Sequence, residues 1–373
     1  MPWCHEAAFY TMVWQVEAYA YWIGNMVDEV STRLTTIRPP DVISRTPRSL
    51  SERAHWKGSE YRNFLLYYGV FVLEGILPTD YLIHFGFLSA SIRLLSKDCI
   101  TPDDLTTADR LLGKFYFLHK ELYGLENCTM NVHVTSHHLV SCVRLAGPLW
   151  ATSTFPMESN LGQLVKMIRG SRNVGFEMVC AFLDMQKSKL MTTETDSKHV
   201  FQKLSSDIHV PSRRRTVIVP GAIRQALLEA GLPINPLAKV ITFTSIKLNG
   251  ERFYSAESPR VTKRCSYYVE TEYGIAKILR FMQLSAQDIN VYAVTHDVEV
   301  NGIPGYYRSA AKAIQDFGES LQVISCGVQS ITLPDPLCAV RIIPVKKIKH
   351  KLMLLSVDQK NVVCSLPNQW ELD

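Results

Sequence analysis

The stretch NVHVTSHHL carries Asn131, His133, His137 and His138. In a helix, His133 and His137 would lie four positions apart on one face, the spacing by which a helix presents two imidazoles to Zn²⁺. No Glu follows His133 as a zinc hydrolase of the HExxH type requires, and the sequence offers no third ligand. Packed, hydrogen-bonded histidines are the expectation, with no metal. A second group is basic: Arg45, Arg48, Arg53, Lys57 and Arg62 alternate with Trp56 and Tyr61. Read as an interface, these residues meet a nucleic-acid backbone, with the loop stiffened by Pro47. Read as structure, Arg48 and Lys57 pair with Glu52 and Glu60 and tie the loop to the next helix, which is the preferred reading. Further cations stand at Arg213, Arg214 and Arg215 and in KKIKHK, from Lys346 and Lys347 to Lys351. They are candidate phosphate-binding or nuclear-import patches, although lysines on strands also serve to block edge pairing. The chain has no glycine-rich phosphate loop and no GxSxG.

The elements that must position these residues change character along the chain. In TPDDLTTADRLLGKFYFLHKELYG, Thr101 can cap, Pro102 suits the first helical position, and Asp103 and Asp104 favour the positive end of the helix dipole. Leu111, Phe115, Leu118 and Leu122 then line one face, as Leu82, Phe85, Leu88, Ile92 and Leu95 do in the preceding helix. After Lys198 the period shortens. A strand-like TVIV and one helix stopping near Gly231 precede KVITFTSIKLNGERFYSA, whose Asn249-Gly250 step is a strong hairpin signal. Further strand-like runs are CSYYVE, GIAKILRFMQL, INVYAVTH, CAVRIIPV and LMLLSV. The expected fold is α+β, an all-α module over residues 1–195 followed by a small antiparallel β-barrel or sandwich over 196–373. The junction is placed between Met191 and Val210, in a polar, turn-prone stretch.

Composition narrows the class. The chain of 373 residues is 47% hydrophobic, enough for two buried cores. Its net charge of +5 lies toward the C-terminus: residues 1–200 hold 19 basic against 20 acidic residues, and residues 201–373 hold 21 against 15. The second half is therefore the expected site of any phosphate contact. Nine cysteines form no CxxC pair, which suggests reduced and mostly buried thiols in a nucleus or cytoplasm. Of the two, the nucleus is the favoured expectation, on grounds other than the cysteines. The longest apolar run, Phe64 to Leu73, is far short of the roughly 20 residues that a membrane span requires. No membrane partner is expected.

Several strings bear a family resemblance. HWKGSEYRNFLLYYG at His55–Gly69 and GPLWATSTFPMESNLG at Gly147–Gly162, with YWIGNMVDEVSTRLTTIRPPDVISRTPRSL, GILPTDYLIHF and LYGLENCTMNVH, resemble the helical domain of unknown function that accompanies CACTA-type transposases. The resemblance fades after about Gly170. More weakly, KRCSYYVETEYGIAKILRF and VVCSLPNQWELD are similar to the β-rich module of the same group. Such transposases resemble the RNase H-like class, in which three carboxylates hold two Mg²⁺ ions and the last is a Glu at a helix start. The resemblance maps that role onto Glu158, as a possible vestigial ligand, with Leu161, Leu164, Val165 and Ile168 turned to the core. The Asp-bearing strands of that class are expected upstream of Tyr21, and MPWCHEAAFYTMVWQVEAYA does not match them. A lone Glu cannot hold two metals.

The implied function is that of a transposon-derived, non-catalytic piece that keeps surfaces for DNA, chromatin or transposase-related proteins. No cofactor is expected, with Mg²⁺ relevant only to a core completed in trans. The alternatives are a fragment so completed and a protein-interaction module with an aromatic groove of Phe253, Tyr254, Tyr267 and Tyr268.

Overall fold

The computed structural model describes residues 21–168, 170, 172–212, 214–232, 234, 235, 237–304, 328–336 and 338–368. Helices occupy the N-terminal half and antiparallel strands the C-terminal half, giving a mixed α+β architecture. The helices are α1 (Val27–Thr36), α2 (Gly58–Asn63), α3 (Gly69–Val72), α4 (Thr79–Leu95), α5 (Pro102–Tyr123), α6 (Met130–His137), α7 (Leu139–Ala146), α8 (Phe155–Met167), α9 (Val174–Val200) and α10 (Gly221–Glu229). None of the described helices is long and apolar enough to cross a membrane.

Local chemistry accounts for the helix starts. Thr101 Oγ1 accepts the Asp104 N–H at 3.1 Å while the Asp104 carboxylate accepts the Thr101 N–H at 2.9 Å, so α5 opens on a reciprocal cap. Lys97 adds an ion pair to Asp104 at 2.7 Å. Burial pushes the Asp104 carboxyl up, but Lys97 and the Thr101 donors outweigh it and hold the carboxyl below its ordinary range. Helix α4 is apolar on nearly every side and is buried almost throughout, as a central helix must be.

Packing gathers the chain into two compact units that do not follow sequence order. The first comprises Met1–Ser153, Val300–Thr332 and Met353–Leu372, and the second Thr154–Glu299 and Leu333–Leu352. The change of period after Lys198 and the polar stretch around it suggest a single boundary at 195. In the first unit, one continuous core joins Val30, Leu34, Leu50, Phe64, Phe87, Leu95, Leu111 and Leu112 of the helices to Val328, Met353, Leu355, Val362 and Cys364 of the strands. Arg93, buried on α4, clamps the two parts: it donates to Leu66 O at 2.9 Å and to Ser365 O at 2.7 Å. Arg33 on α1 donates to the carbonyls of Val72 and Glu74 at 3.0 and 2.7 Å and pairs with Asp358 at 3.0 Å. Asp358 and Gln359 form the two-residue turn between strands Ile348–Val357 and Lys360–Ser365, both at positive φ, 50° and 64°.

The second unit holds a four-stranded antiparallel sheet in the order Phe201–Lys203, Ile208–Pro211, Ser245–Leu248, Glu251–Tyr254. The Asn249-Gly250 turn closes its last hairpin with φ of 51° and 83°, as the sequence leads one to expect. The long strand Gly274–Gln283 pairs with Tyr268–Thr271, Tyr292–Asp297 and Lys239–Phe243, and Arg215–Ile218 lies against Lys239–Phe243. The expected turn-prone junction is structured otherwise: α9 runs to Val200 and a strand begins at Phe201. No Gly or Pro occurs between Gly175 and Pro211, so nothing in the sequence breaks the helix there.

Two expectations about burial need correction. Leu161 and Val165 on α8 are 55% and 61% exposed, with Met157, Phe176, Val179, Phe182 and Leu183 of α8 and α9 exposed as well. The described cysteines are free thiols, but Cys99, Cys142 and Cys338 are exposed while Cys265 and Cys364 are buried.

Candidate nucleic-acid interface

The loop Arg45–Arg48 and the start of α2 form a closely bonded polar site in the first unit. Its centre is Glu60, buried at the first turn of α2. Arg48 grips Glu60 with a two-pronged fork, Nε to Oε1 and Nη2 to Oε2, each at 2.7 Å. Arg48 Nη2 also donates to His55 O at 2.6 Å, and Nη1 lies 3.7 Å from Glu52. The Lys57 N–H donates to Glu60 Oε2 at 2.8 Å. Burial pushes the Glu60 carboxyl up, but the Arg48 fork and the Lys57 N–H prevail and hold it below the ordinary carboxylate range. Trp56 is buried against Tyr61 and Phe64, with ring centroids at 5.3 and 5.9 Å, and its indole N–H donates to Ser49 O at 3.2 Å. Tyr61 donates to Arg53 O at 2.7 Å. The cavity beneath the loop, lined by Leu34, Thr46, Pro47, Trp56, Asn63 and Tyr68 among others, has a volume of about 10 Å³. That is room for a single water and no larger ligand.

The loop thus sorts its cations. Arg48 is a structural brace, whereas Arg45 and Lys57 are exposed and make no salt bridge among the described residues, Arg45 acting on Glu60 only through weaker charge attraction. The structural reading of Lys57 is changed in detail, because it reaches Glu60 through its backbone N–H and not through its ammonium group.

In the second unit the basic string is largely neutralised by carboxylates of the same unit. Lys347 pairs with Glu272 at 2.5 Å, and Lys349 and His350 pair with Glu270 at 3.4 and 3.2 Å. Lys351 is buried, 3.0 Å from Glu251 and over the Phe253 ring. Lys346 is exposed with no ion pair among the described residues. Arg214 donates to the Gln202 side chain, and Arg215 is exposed at the start of its strand. Arg213 lies outside the described residues.

Glu158 is exposed in the first turn of α8, where Thr154 Oγ1 donates to it at 3.1 Å and its own N–H donates to Thr154 O at 2.9 Å. Among the described residues no group of three or more His, Cys, Asp or Glu side chains is placed to hold a metal. Of the proposed aromatic groove, Phe253, Tyr254 and Tyr268 are buried at 1%, 7% and 2% exposure, so they build the core instead of a surface.

Sequence reasoning missed a buried polar cluster between α4 and α5. His84 Nε2 lies 2.9 Å from Phe115 O, its ring stacks on Phe115 at 4.3 Å, and His119 and Tyr123 lie 5.5 and 5.2 Å from it. Burial pushes His84 down to about 3, with His119 adding a smaller push and the Phe115 carbonyl opposing both. The spacing of Phe115, His119 and Tyr123 at four-residue steps was the available signal. The fold itself defines only a mixed α+β class. No protein-family model, no curated protein and no solved structure matches the chain.

Proposed function

We propose that this is a transposon-derived, non-catalytic protein of the CACTA transposase-associated kind, which holds duplex DNA by its phosphate backbone in the nucleus. The observation that supports it most is the sorting of cations in the Arg45–Lys57 loop. Arg45 and Lys57 are exposed on either side of a brace in which Arg48 is committed to Glu60. Cations on a braced loop meet phosphates with little loss of chain entropy, and contacts to phosphate carry no sequence information. Binding is therefore weak and indifferent to sequence. Two unrelated duplexes titrated at low salt, read by fluorescence anisotropy, should bind with equal affinity. Strong preference for one duplex would contradict backbone holding.

A second reading, assembly with another copy of the chain, is favoured by the exposed apolar side chains of α8 and α9. The charges described along these helices are mixed, Glu158, Glu177 and Asp184 with Lys166 and Lys187, so two copies meet without net repulsion. Sedimentation over a range of concentrations tests it: a constant monomer mass removes this reading.

A further inference from the structure

We propose that His133 and His137 form a surface site for a borderline divalent cation, with Zn²⁺ the ion tested. Helix α6 buries Val132, Thr135 and Ser136 on one side, which fixes its rotation and leaves both histidines exposed on the other. Their ring centroids are 4.8 Å apart. An ion about 2.0–2.1 Å from one nitrogen of each ring sits about 3.2 Å from each ring centre, so two ligating imidazoles at ordinary coordination angles lie about 4.5–5.2 Å apart. The observed pair falls inside that window without any helix movement. Tyr116 of α5 stands edge-on to His137 at 4.5 Å and restricts that ring. A restricted ring loses less freedom when it ligates.

His138 is 5.4 Å from His133, just outside that window, and the described residues hold no converging group of three ligands. The described residues therefore supply two ligands and water completes the shell, an open arrangement in which imidazole nitrogen suits Zn²⁺. This site is independent of the DNA reading, since it uses neither Arg45 nor Lys57. It also departs from the expectation of packed histidines, because both rings face solvent.

The test is calorimetric titration of ZnCl₂ into the full chain and into His133→Gln, His137→Gln, His137→Cys and His138→Gln, with circular dichroism to confirm the fold of each. Removing either ligand should weaken the binding step by about tenfold or more, since even losing a partner that merely orients a ligand costs about that much. His137→Cys keeps a zinc ligand and should retain the step, and His138→Gln should leave it unchanged. No binding by the wild-type chain, wild-type affinity in the His133→Gln or His137→Gln variant, or an equal loss in His138→Gln would each overturn the assignment.

Discussion

Arg45 and Arg48 are three positions apart in one loop and carry opposite duties. Arg48 and Glu60 are a partly desolvated fork, so removing one partner strands the other. Glu60→Gln is expected to cost about 2 kcal/mol in denaturant unfolding, the cost of leaving a charged donor poorly satisfied. Arg45→Ala and Lys57→Ala, at exposed positions without ion pairs, should stay within about 0.5 kcal/mol. Equal losses in all three variants would show that the loop does not sort its cations. His84 makes a second residue-scale prediction. Its folded value, about 3, lies below the ordinary 6.5, so the unfolded chain binds the extra proton. The sign follows: the stability it supports is fully present above about 6.5 and is lost as pH falls toward 3, by at most about 1.4 kcal/mol per pH unit. His84→Gln should flatten that decline, and an unchanged slope would mean that the ring is not held neutral.

At the scale of elements, the turn at Asp358 and Gln359 places two consecutive non-glycine residues in the left-handed region, where most L-residues are strained. Gln359→Gly should raise stability by about 0.5–1 kcal/mol, since the two-residue hairpin geometry favours glycine at its second position. A fall in melting temperature would refute it. Much of this level was legible in the sequence. Thr101, Pro102 and Asp104 announce the start of α5, Asn249-Gly250 announces its hairpin, and the alternating runs after Lys198 become strands because side-chain alternation is a local property. What could not be read was which partner each surface would find. Leu161 and Val165 have the spacing of a core face and are exposed, while Lys347, Lys349 and Lys351 of KKIKHK look free in sequence and are met by Glu272, Glu270 and Glu251, which lie far away along the chain. The site was half legible for the same reason: the Arg48–Glu60 pairing is near in sequence, but the neutralising strand is not.

At the scale of the whole molecule, the first unit is assembled from distant parts of the chain. Val328, Met353, Leu355, Val362 and Cys364 share its core with the helices, and Arg93 bonds to Ser365. A fragment of residues 1–195 therefore lacks part of its own interior. It should unfold with a lower slope and bind a hydrophobic dye, as incompletely packed states do, whereas cooperative unfolding at undiminished stability would contradict this assembly. The charge of the molecule follows the same logic. The basic excess lies in the second half of the sequence, yet its densest string is mostly paired, Lys346 apart, and the exposed cations at issue for DNA include Arg45 and Lys57 of the first half. The most direct test is the salt dependence of duplex binding by the wild-type chain and by an Arg45→Ala/Lys57→Ala double variant. Each lost phosphate contact removes about one unit from the slope of log affinity against log salt, so the double variant should show a slope lower by up to about two. An unchanged slope, or no binding by the wild-type chain even at low salt, would contradict the account.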